Sequence, residues 1–114
     1  MQIVPYNNNW PQLFDEELLK IKQALAKNYI EAYHIGSTSI PGLASKNVID
    51  ILCVVGNLKS NYSELCKLGY LDKGEYNIPS RLFFSKKNEM IQYNLHITEH
   101  NHDFISLNLH LEII

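Results

Sequence analysis

The chain has little that would staple it, anchor it or give it a strong field. Among its 114 residues are only two cysteines, Cys53 and Cys66, in no CxxC or other metal-ligand spacing, so reduced thiols packed as small hydrophobes are expected. Charge of neither sign dominates. Ten Lys and Arg against twelve Asp and Glu leave a net charge of -2, which gives no support to a broad nucleic-acid footprint and leaves room only for a local positive patch. No run approaches the roughly 18 apolar residues of a membrane span. The opening MQIVPYNNNWPQLF lacks the basic start and apolar core of a signal peptide, so a cytoplasmic protein without membrane association is expected. What remains, 46% hydrophobic and 19% charged, is the composition of an ordinary globule long enough for one small core.

The pattern along the chain predicts alternating helices and strands. Asn9-Trp10-Pro11 reads as a helix start. Phe14, Leu18, Ile21 and Leu25 then recur at helical spacing, with Asp15, Glu16 and Glu17 early and Lys20, Lys22 and Lys27 late, an order that suits the helix dipole. Asn28 is expected to close this helix, and Tyr29 to Ile35 reads as a strand. A glycine turn leads to a second strand, Val48 to Val55. Asn57 is expected to open a second helix, with Leu58, Tyr62, Leu65 and Cys66 on one face and Gly69 at its end. Tyr70-Leu71 begins a weak strand, and DKGEYNIPS is a polar loop. Arg81 to Ser85 and Met90 to Ile97 form a hairpin around Lys86-Lys87-Asn88-Glu89. In its second strand Ile91, Tyr93, Leu95 and Ile97 face the core and Gln92, Asn94 and His96 face the other way. A last helix is expected from Asn101 or Asp103. With no internal repeat, the fold class is a single α/β or α+β domain.

Asp50 is the sharpest anomaly, because a carboxylate inside an apolar strand costs several kcal/mol unless it is paired, hydrogen-bonded or bound to a cation. Either it is a ligand for a divalent cation such as Mg²⁺, which favours carboxylate and phosphate oxygens, or it faces solvent or caps a loop; spacing weighs the two equally. Gly36-Ser37-Thr38-Ser39 is either an ordinary turn or a phosphate-holding loop of backbone N–H groups and hydroxyls. It is neither a Walker A loop nor a dinucleotide fingerprint. His96, with Asn94 and Gln92, either lines a cleft or sits on a hydrated sheet face. His34 reads equally as a core histidine. His100 and His102 lack a partner set for zinc. Arg81 reads as a phosphate or carboxylate binder or as half of a surface ion pair.

Taken together, HIGSTSIPGLASKNVIDIL resembles the signature of the GrpB family, small bacterial proteins of the nucleotidyltransferase-like superfamily. His34, Gly36 to Ser39, Pro41 to Ala44, Lys46 and Ile49-Asp50-Ile51 carry the resemblance in order, and Arg81 with Phe83-Phe84 and Asn94-Leu95-His96 resemble later family elements. The resemblance implies a mixed β-sheet flanked by helices, with Gly36, Ser37, Thr38 and Ser39 at phosphate and Asp50 as the catalytic carboxylate and Mg²⁺ ligand. Lys46 and Arg81 would bind nucleotide, and His96 would be a further catalytic residue. A nucleoside triphosphate or another phosphate-bearing small molecule is the implied partner.

Three departures go with it. Leu52 stands where the superfamily's Asp-x-Asp pair has its second acid, which leaves one metal carboxylate. Asn94 replaces the first His of the family's His-Leu-His. The chain ends at Leu109-His110-Leu111-Glu112-Ile113-Ile114, short of the family's helical C-terminal part, an end that a homodimer would cover. Two functions therefore stay open, Mg²⁺-dependent nucleotidyl transfer to an unidentified acceptor and a catalytically silent binding or interaction module of the same fold.

Overall fold

The structure, a computed structural model, describes residues 2–74 and 81–100. Pro11 lies in the first turn of helix α1 (Trp10–Leu25), where its missing N–H costs no hydrogen bond, and Trp10, Ile21 and Leu25 face inward. The helix ends at Leu25, three residues before Asn28. Ala26 turns to a φ of 52° and a short 3-10 turn carries the chain to strand β1 (Tyr29–Ile35). Asn28 instead exchanges hydrogen bonds with the backbone of Asn57, giving its amide to the Asn57 carbonyl and accepting the Asn57 N–H, both at 2.9 Å.

That exchange also relocates the second helix. Asn57 is pinned to Asn28, and α2 (Ser63–Lys67) begins only after Asn61 Oδ1 has accepted the Ser63 N–H at 2.8 Å. With so short a helix only Leu65 turns fully inward, and Cys66, expected on the packed face, is exposed. Gly69, at φ 106°, ends α2 as expected: its N–H bonds the Cys66 carbonyl and the next N–H, of Tyr70, bonds the Leu65 carbonyl.

Strands β2 (Val48–Val55), β3 (Leu71–Asp72), β4 (Arg81–Lys87) and β5 (Gln92–Glu99) complete a mixed five-stranded sheet in the order β1-β2-β5-β4-β3. Only β2 and β5 run parallel; the other neighbours are antiparallel. β4 extends through Lys87, so the hairpin turn begins at Asn88, whose side chain accepts the N–H groups of Met90 and Ile91. The last expected helix and the loop around Pro79 lie outside the described residues.

Central position explains the apolar run of β2, since a strand flanked on both sides and buried on both faces has no use for alternation. Its Ile49, Ile51, Cys53 and Val55 join Tyr93, Leu95 and Ile97 of β5, Phe84, and the inward residues of α1 and α2 in one core. Burial pushes the Cys53 thiol up to about 12, so it is packed there as a neutral hydrophobe. The opposite face carries Asp50, Leu52 and Val54, in register with Asn94, His96 and Thr98.

The dipole reading of α1 needs correction at Glu17. No acid occupies the first turn, and Glu17 is 2% exposed rather than solvated. It accepts the Tyr70 hydroxyl at 2.7 Å and pairs with the ammonium of Lys86, which lies over the rings of Tyr70 and Tyr93. Burial, then the Glu17 carboxylate, raises the Tyr70 phenol well above its ordinary value, so it remains a donor. This group ties α1 to β4 and to Tyr70, just beyond the end of α2.

Removing one charge of such a pair strands the other. Lys86→Met is expected to cost about 3–5 kcal/mol in urea denaturation. The combined Glu17→Met, Lys86→Met and Tyr70→Phe replacement, which removes the buried polar groups and leaves only the exposed Lys20, 3.9 Å from Glu17, to return to water, should recover most of that loss. A single variant within 1 kcal/mol of the unaltered chain, on the same order-of-magnitude scale, would show that the pair is solvated.

Candidate functional site

Register lays the polar face out in rows. Ile35, Asp50, Asn94 and Ser85 are successive partners across β1, β2, β5 and β4, and Tyr33, Leu52, His96 and Phe83 form the next row. Arg81 and Thr98 face each other in the row beyond. Asp50 therefore stands near the start of the parallel pair, on the face turned away from the core that holds both helices.

The turn before β2 brings the hydroxyls to it. Gly36 sits at φ 75°, a region L side chains avoid, and opens a 3-10 turn over Ser37–Ser39. Ser39 Oγ donates back to the Gly36 carbonyl at 2.5 Å. Thr38 is 1% exposed and lies inside rather than in the cleft. Its hydroxyl donates to the Val48 carbonyl at 2.8 Å, and with that hydrogen committed it accepts from His34 Nε2 at 2.9 Å. His34 stacks on Phe14, with ring centroids 5.0 Å apart, so the histidine and threonine of the motif clamp the turn onto β2 and α1. Ser37 remains at the surface, its Oγ 2.6 Å from Ser45 Oγ. Ser45 in turn is held by paired backbone hydrogen bonds with Val4, at 2.9 and 3.0 Å.

A cleft of about 450 Å³ opens here, with Ser37, Ser45, Lys46, Asp50 and Asn94 as its polar wall and Ile3, Ala44 and Val48 beside them. Asp50 is only partly buried, its side chain 26% exposed, which answers the desolvation cost raised by its position in an apolar strand. His96 Nε2 lies 3.7 Å from Asp50 Oδ1. Arg81 is placed away from the cleft: it is 4% exposed, and its guanidinium donates to His96 Nδ1 at 2.5 Å. Ser45, Ile3 and Phe83, which stacks on His96 at 5.1 Å, are site residues that sequence reasoning missed. The only signal for Ser45 was its place within the PGLASK stretch.

The donor set suits one hard cation, not two. One carboxylate with neighbouring hydroxyl oxygens, completed by water and ligand oxygens, is a combination Mg²⁺ accepts. Leu52, fully buried where a second acid would stand, offers no donor, and the described residues contain no cluster of three His, Cys, Asp or Glu side chains. Lys46 places a positive charge at the same opening. A second hollow of about 490 Å³, between the start of α1 and the β4–β5 turn, is lined by Trp10, Leu13, Met90, Ile91 and Tyr93 with Asn7, Asn47, Asn88 and Glu89, and has no basic side chain beside its one carboxylate.

A Cβ at Gly36 would come within 2.5 Å of Asp50 Oδ2. Gly36→Ala is therefore expected to cost about 1–3 kcal/mol in backbone strain alone, read as a fall in denaturation midpoint, and to displace the carboxylate besides. Full retention of stability would mean that the turn is not held as described.

Among the described residues no helix is long and apolar enough to cross a membrane. The family model described as "GrpB protein" matches residues 1–112. The chain is 36% identical over 112 residues to the UPF0157 protein YqkA of Bacillus subtilis, an alignment covering 96% of this chain and 33% of that one. It is 29% identical over 110 residues to the glutamate-rich protein GrpB of Alkalihalophilus pseudofirmus, covering 90% and 63%. Among solved structures, that of the conserved protein GrpB from Enterococcus faecalis superposes with a TM-score of 0.85 at 30% identity, covering 93% of this chain and 66% of the other. The chain thus spans between one third and two thirds of the length of these relatives. With the family pattern matched almost end to end and the fold shared with a solved member, the chain belongs to the GrpB family.

Proposed function

We propose that the cleft at Asp50 binds the phosphates of a nucleoside triphosphate together with one Mg²⁺, and that the reaction is nucleotidyl transfer to a hydroxyl acceptor. The convergence of Asp50, Ser37, Ser45 and Lys46 in one opening carries this reading. Lys46 would draw in the polyphosphate, and the two serine hydroxyls would offer donors to its oxygens. Gly36, having no side chain, lets the Asp50 carboxylate lie against the turn that carries Ser37. Mg²⁺, when bound through Asp50, would neutralise phosphate charge and favour in-line displacement. In that displacement the acceptor oxygen bonds to the α-phosphorus as the bond to the β-phosphate oxygen breaks, pyrophosphate leaves, and the proton of the acceptor hydroxyl passes to water.

A second reading is a silent phosphate-binding module of the same fold. Leu52 favours it, since the absence of a second acid leaves a two-cation mechanism without its ligands.

Calorimetric titration of the purified chain with nucleoside triphosphates, with and without Mg²⁺, tests the shared part of both readings. Binding is expected to strengthen with Mg²⁺, and Asp50→Asn to remove at least about tenfold of that gain, about 1.4 kcal/mol. Equal affinity with and without the metal, or an unaltered response in Asp50→Asn, overturns it. Pyrophosphate release from the bound triphosphate in the presence of hydroxyl acceptors separates the transferase from the silent module.

A further inference from the structure

We propose that His96 is a positioning residue for Asp50 and not a proton carrier, fixed by Arg81 in the tautomer whose proton sits on Nε2. A guanidinium has five N–H donors and no acceptor. The 2.5 Å contact between Arg81 Nη1 and His96 Nδ1 therefore has one sense: arginine donates, Nδ1 accepts, and the imidazole proton belongs to Nε2. Nε2 is the nitrogen turned to Asp50, 3.7 Å from Oδ1. That spacing is longer than a hydrogen bond, and a shift of about 1 Å closes it, as happens when sites tighten around a ligand.

The ring has little freedom to do otherwise. Phe83 stacks on it with planes 29° apart, the Arg81 guanidinium lies 5.4 Å from the Phe83 centroid, and the His96 side chain is 16% exposed. A general base presents an unprotonated ring nitrogen to the reacting group. Here Nδ1 is held by a group that never accepts a proton, and Nε2 already carries one. Once the site tightens, Nε2–H would donate to Asp50 Oδ1, and a cation would take Oδ2, the oxygen that lies over Gly36. This role of histidine toward a carboxylate ligand is that of an outer partner which orients it, and losing such partners typically lowers metal affinity about 10–100-fold. The tautomer follows from the Arg81 contact at Nδ1; the cation part rests on the function proposed above.

The two parts have separate tests. Long-range ¹H–¹⁵N correlation spectra of the ligand-free, ¹⁵N-histidine-labelled chain should show His96 as a single Nε2–H tautomer, and Arg81→Met should release it into a mixture. An Nδ1–H form or a mixture in the unaltered chain overturns the proposal, and that spectrum decides it even if Arg81→Met fails to fold. For positioning, the side-chain amide of His96→Gln can still donate toward Asp50, whereas His96→Leu cannot. In Mg²⁺–ATP titrations His96→Gln should stay within about threefold of the unaltered chain and His96→Leu should weaken binding at least about tenfold. Equal affinity of His96→Leu and the unaltered chain, or equal losses in both variants, overturns the positioning role. If the unaltered chain binds no nucleotide, the proposed function fails and with it the cation part, while the spectrum still decides the tautomer.

Discussion

Where each polar group falls is decided by the parallel register of β2 and β5. Because Asp50 faces Asn94 and Leu52 faces His96, one face of the pair carries Asp50, Asn94 and His96 and the other carries Ile49, Ile51, Tyr93 and Leu95. A slip of β2 by one residue would turn Asp50 under the helices and bring Ile49 and Ile51 out of the core. No tight turn sets this register, since parallel neighbours are joined by a long connection. It is held by burial on both faces of β2 and by hydrogen bonds just beyond the ladder, from the Gln92 N–H to the Asn47 carbonyl and from the His100 N–H to the Val55 carbonyl.

The helical side adds a second constraint of a different kind. Hydrophobic contact lets a helix slide over a sheet at small cost, whereas a buried carboxylate accepts few positions. Glu17 finds the Tyr70 hydroxyl and the Lys86 ammonium in one place, and so fixes how far along the sheet α1 sits. The energy of such a pair is modest once desolvation is counted, but its geometric demand is not.

Local signals were legible where they acted locally. The β-branched runs gave β1 and β2 their limits, Gly69 marked the end of α2, and alternation in β5 identified its core face. The Gly36 turn and Asp50 could be singled out because each breaks a local rule. What escaped depends on partners distant in the chain. Glu17 reads as a dipole charge until Lys86 is seen beside it, Arg81 reads as a phosphate binder until its guanidinium is found on His96, and Asn57 reads as a helix start until Asn28 claims its backbone. Thr38 is similar: a hydroxyl in a glycine turn suggests a ligand, yet both of its bonds close inside the fold.

Gly36 and Asp50 occupy, in effect, a single volume. The Asp50 Oδ2 lies where a methyl group on residue 36 would have to be, and the backbone at residue 36 has a dihedral that other residues resist. Neither position can therefore change without regard to the other. Across related sequences the pair should behave as one inherited character: an acid at 50 is tied to glycine at 36, and a side chain gained at 36 should be accompanied by a smaller residue at 50 and the loss of the carboxylate.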